Sequence, residues 1–103
     1  MQTVLHFING QAVASHNTKT FDKRSPLDNR LLYRVAEGGR AEINDAVAAA
    51  RHALHGEWGK LSTDQRVAML YAVADGITKR FDDFVAAEEA DTGQPHQIGR
   101  AHV

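Results

Sequence analysis

The sequence predicts short N-terminal β-hairpins followed by two amphipathic helices. Three observations carry that prediction: an Asn-Gly pair between two short apolar runs near the start, apolar residues recurring at spacings of three and four later on, and a helix-capping pattern between the two periodic stretches.

Leu5 to Ile8 and Gln11 to Val13 flank Asn9-Gly10. Both turn residues tolerate positive φ, which a two-residue hairpin requires, so a first short hairpin is expected here. The polar run Ala14 to Thr18 reads as a turn, and Thr20 to Ser25 as the next strand, ended by Pro26 with the turn residues Leu27-Asp28-Asn29. Leu31 to Ala36 supplies its partner strand, and Gly38-Gly39 closes the β section.

Ile43, Val47, Ala50 and Leu54 then repeat on one face of an alanine-rich stretch, predicting an amphipathic helix from about Ala41 to His55, stopped by Gly56. Ser62-Thr63-Asp64-Gln65 has capping-box form, in which Ser62 receives the amide of Gln65 and the Gln65 side chain reaches back to the backbone of Ser62. The second helix therefore begins there and runs to about residue 92. Leu70, Val73, Ala74, Ile77, Phe81, Phe84 and Val85 mark its buried face, Gly76 costs it about 1 kcal/mol, and Gly93 and Pro95 are its stop signals. Trp58, between the helices, is expected to wedge the corner shut as a core anchor.

A chain of 103 residues makes one small domain at most. The strands are too short to bury both helices well, and the last residues, Gly99 to Val103, have neither strand pattern nor the composition of a disordered tail. Truncation of a longer chain is the expectation.

Twelve basic and thirteen acidic residues leave a formal charge of −1, which provides no broad basic field for nucleic acid. Cysteine is absent, so these residues hold no disulfide, no thiolate metal site and no cysteine nucleophile. The N-terminus lacks the pattern of a signal peptide and no stretch approaches a membrane span of roughly 20 apolar residues, so a cytoplasmic protein is the default.

Asp91-Thr92-Gly93 has the tripeptide form of aspartic proteases, but Ala86 to Ala90 before it continues a helix where a protease needs a hydrophobic strand. Asp91 matters for a different reason. An anion at a helix C-terminus adds to the negative end of the macrodipole and invites a cation, either a nearby Lys or Arg or a metal held by oxygen ligands. Spacing alone does not separate the two. His52 and His55, at i and i+3, lack a third ligand at a recognisable spacing and read as solvated surface residues, while His96 and His102 define no site. Neither Gly38-Gly39 nor Gly56-Glu57-Trp58-Gly59 forms a phosphate-binding loop.

Phe7-Ile8-Asn9-Gly10, Thr20-Phe21-Asp22, Pro26, Val35-Ala36-Glu37-Gly38, Ala46 to Arg51, Trp58, Arg66 and Asp91-Thr92-Gly93-Gln94-Pro95, in this order and spacing, resemble the opening of the aldehyde dehydrogenase superfamily. Gly39-Arg40-Ala41-Glu42, Leu54 to Lys60 and Val73 to Asp82 look like the semialdehyde dehydrogenases of aromatic meta-cleavage pathways, of the 2-hydroxymuconic and 2-aminomuconic kind.

The resemblance implies an α/β fold for the complete enzyme: a three-layer, Rossmann-like cofactor domain joined to a catalytic domain, with residues 1–103 the N-terminal part of the former. It also implies oxidation of an aldehyde to a carboxylate with NAD, through a cysteine thiolate and a glutamate-activated water that both lie beyond the matched residues. Taken alone, the chain is expected to be inactive and to expose apolar helix faces. The family further places a structural monovalent-cation site here, with Asp91 and backbone carbonyls near Arg24 as oxygen ligands. Lys23 and Arg24 are more charged than the pair usual at that place, and their charge opposes an ion. A small-molecule semialdehyde and a homo-oligomer, dimer or tetramer, are the implied partners. The alternative from a different class is a non-enzymatic interaction module whose helices bury their apolar faces against a partner chain.

Overall fold

The structure, a computed structural model, describes residues 2–94. Contacts divide it into two compact units, one of the residues up to Lys23 with Leu31–Leu61, the other of Arg24–Arg30 with the helices from Ser62 on.

In the first unit the Asn-Gly hairpin forms as its chemistry dictates. Strands β2 (His6–Ile8) and β3 (Gln11–Val13) are antiparallel with Phe7 opposite Ala12, and Asn9 and Gly10 have φ of 54° and 76°. A short β1 (Thr3–Val4) precedes them, which the sequence pattern does not announce. It lies parallel to β5 (Leu31–Ala36), pairing Thr3 with Arg34 and Val4 with Val35, in a three-stranded sheet of order β1-β5-β4, where β4 is Thr20–Arg24. Two residues cannot declare themselves by alternation; a partner far along the chain decides their state. Across β4 and β5, Arg34 Nε stands 3.5 Å from Asp22 Oδ1.

Helix α1 (Arg40–His55) follows β5 almost directly. Gly56 starts a single turn, α2 (Glu57–Lys60), that holds Trp58. Gly59 belongs to that turn because a Cβ there would collide with the Leu54 carbonyl. Trp58 is 39% exposed, which corrects its expected role as a buried corner anchor. Carried on a one-turn helix, the indole finds too little surface around it to be enclosed.

In the second unit the capping box at Ser62 is present with both bonds. Gln65 N–H donates to Ser62 Oγ at 3.2 Å, and Ser62 N–H donates to Gln65 Oε1 at 2.8 Å. The single long helix expected to about residue 92 is instead two, α3 (Thr63–Lys79) and α4 (Phe81–Thr92), separated at Arg80 with φ −114° and ψ 27°. Gly76, β-branched Ile77 and Thr78 weaken the end of α3, and the Thr78 hydroxyl donates to the Ala74 carbonyl at 3.1 Å, a bond that bends helices. Asp82 and Asp83 then favour a fresh N-terminus, and Arg80 Nε reaches Asp83 Oδ2 at 3.3 Å.

Among the described residues the buried apolar side chains are Ala36 and Val85. Most of the predicted buried faces therefore stand open: Ile43, Val47 and Leu54 on α1, and Leu70, Val73, Ile77 and Phe84 on α3 and α4. Val85 on α4 is the exception, fully buried on the face that the periodicity assigns to the interior.

Candidate functional site

Asp91 sits in the last turn of α4 and is exposed. That helix ends at Gly93, whose left-handed backbone (φ 71°, ψ 10°) lets its N–H donate to the Glu89 carbonyl at 2.8 Å. A Cβ on Gly93 would come within 3.1 Å of Pro26 and Leu27, so the end of α4 abuts the turn that follows Arg24. Ser25 N–H to the Arg30 carbonyl (2.9 Å), Asn29 N–H to the Ser25 carbonyl (2.9 Å) and Leu27 N–H to Ser25 Oγ (3.2 Å) hold that turn. Arg24 Nη1 donates to the Asn29 carbonyl at 3.0 Å, folding the guanidinium onto its own turn.

The two segments expected to contribute cation ligands are thus neighbours in the second unit. The carboxylate of Asp91 lies at the negative end of the α4 macrodipole, and the Arg24 guanidinium lies on the neighbouring turn. Asp91 and Arg24 each have further polar or charged partners, so neither is a bare charge. The Asp-Thr-Gly tripeptide is a helix terminus. Thr92 Oγ1 donates to the Glu88 carbonyl at 2.8 Å and accepts from Gln94 N–H at 3.2 Å, the bonding of a helix end where a protease loop would follow a strand. His52 and His55 lie exposed on the last turn of α1; Pro95, His96 and His102 lie outside the described residues.

In the first unit a groove of about 690 Å³ runs between the β2–β3 hairpin and α1, with Ile8, Val13, Ala48 and Ala49 in its lining and His16, Glu42, Asp45 and His52 among its polar residues. Among the described residues of this unit Glu42 is the buried charged side chain, and no sequence motif marked it as more than part of a family-like string. Its Oε1 accepts the His16 N–H at 2.7 Å and its Oε2 the Gly39 N–H at 3.1 Å. The His16 backbone amide foremost, then the amides of the α1 N-terminus and the His16 ring, hold its carboxyl down to about 2, against the opposing effect of burial. The His16 ring faces Glu42 Oε1 at 3.5 Å and Asp45 Oδ2 at 3.6 Å. Beside this cluster, buried Ser15 donates its hydroxyl to the Glu37 carbonyl, and His6 Nε2 lies 2.8 Å from Ser15 Oγ. These contacts fasten the hairpin and its following turn to the start of α1. They assemble no nucleophile.

The aldehyde dehydrogenase family model matches residues 12–103. The chain belongs to that family. As an aldehyde dehydrogenase sequence it is 49% identical over 98 residues to a 2-hydroxymuconic semialdehyde dehydrogenase of a Pseudomonas species, covering 95% of this chain and 20% of that enzyme. It is 39% identical over 95 residues to a Pseudomonas 2-aminomuconic 6-semialdehyde dehydrogenase, covering 92% and 19%. Among solved structures, HpcC from Thermus thermophilus superposes with a TM-score of 0.91 at 34% identity, over 97% of this chain and 19% of that one. The NAD+ complex of an aldehyde dehydrogenase from Bacillus cereus does so with a TM-score of 0.90 at 33% identity, over 94% and 20%. The chain thus has the fold of part of an aldehyde dehydrogenase and spans about a fifth of the length of the relatives it matches.

Proposed function

We propose that this chain is the N-terminal part of the cofactor-binding domain of an NAD-dependent semialdehyde dehydrogenase, whose complete form oxidises 2-hydroxymuconic or 2-aminomuconic semialdehyde to the carboxylate in aromatic catabolism. The observation that carries this reading is the 49% identity to a 2-hydroxymuconic semialdehyde dehydrogenase along 95% of the chain. NAD as the hydride acceptor is supported by the similarity to an aldehyde dehydrogenase structure solved with NAD+.

In this reading the reaction belongs to the rest of the enzyme. A cysteine thiolate adds to the aldehyde carbon, hydride leaves that carbon for NAD, and water cleaves the resulting thioester to the acid. This chain has no cysteine and brings no side chain to that sequence of steps. Its part is structural. The exposed apolar faces of α1, α3 and α4 pack against the remainder of a three-layer α/β enzyme, and Asp91, with carbonyls near Arg24, holds a monovalent cation at the end of α4. The whole enzyme is a cytoplasmic dimer or tetramer, as the family resemblance implies.

The test is to assay the complete gene product for NADH formation with each of the two semialdehydes, beside the 103-residue chain alone. NADH from the complete enzyme and none from the short chain is expected. NADH formed by the short chain, or a complete enzyme inert toward both semialdehydes, would overturn the reading.

A further inference from the structure

We draw no further inference here: the strongest candidate, the groove of about 690 Å³ between the β2–β3 hairpin and α1, has its buried carboxylate, Glu42, already engaged by the amides of His16 and Gly39, and nothing in the structure shows what covers its apolar floor.

Discussion

Glu42 accepts amides from two segments that lie far apart in the chain, at His16 and at Gly39, and only its ionised form serves both as a pure acceptor. Its carboxyl titrates at about 2 in the fold against an ordinary 4.5, so the stabilisation it brings is complete above about pH 4.5 and is lost as the pH falls through about 2. Thermal unfolding of the chain across that window should show a falling midpoint, and Glu42→Gln should lower stability at neutral pH while flattening the acid slope. An unchanged slope in the variant would remove Glu42 from the acid response. Asp91 supports a second residue-level prediction, which rests on the proposed cation site. Potassium or sodium chloride should raise the unfolding midpoint of the complete enzyme above that in choline chloride at equal ionic strength, and Asp91→Asn should abolish the difference. An equal midpoint in all three salts for the unaltered enzyme would dismiss the site. The Glu42 contact to His16 was illegible beforehand because it joins residues 26 apart, whereas its bond to Gly39 follows from a glutamate three positions into a helix.

The elements differ in how much of their stability is local. Helix α3 carries its start signal in four consecutive residues, so Ser62→Ala should cost about 1 kcal/mol by freeing the Gln65 amide. At Gly76 a methyl group would meet nothing within 4 Å, and Gly76→Ala should stabilise the same helix by roughly 0.5–1 kcal/mol. Urea unfolding followed by circular dichroism reads both, and shifts of the same sign would defeat the pair of predictions. The break at Arg80 had a signature in the sequence: Lys79 at the end of one helix and Asp82-Asp83 at the start of the next lie at the dipole ends that favour their charges. An unbroken apolar periodicity across the junction hid it, since Ile77, Phe81 and Phe84 keep their spacing whether or not one backbone bond is lost.

Across the whole molecule, apolar side chains that the periodicity assigns to an interior stay open, with Ile43 62% and Leu70 64% exposed, while Val85 is fully buried. Such continuous apolar faces mark surfaces that another body covers, and the fifth-length match to aldehyde dehydrogenases identifies that body, in the proposed reading, as the rest of the enzyme. The isolated chain should therefore enhance the fluorescence of a hydrophobic dye such as anilinonaphthalene sulfonate far more, per mole of chain, than the complete enzyme does. Equal enhancement would mean that these faces remain uncovered in the larger protein.

Residue order alone announces the features whose causes are local. The Asn9-Gly10 hairpin, the strand expected over residues 20–25 and found over 20–24, the strand 31–36, the first helix, the Ser62 cap and the Gly93 stop each rest on residues within one turn or one pair of neighbours. It also determined the family, because short motifs in a set order persist whether or not their surroundings are present. The parallel pairing of β1 with β5, the burial of Glu42 and the exposure of Trp58 emerge only in the folded chain. Each of these depends on which distant segment supplies a hydrogen bond, a buried amide or a covering surface, and periodicity along a chain encodes a face without naming what lies against it.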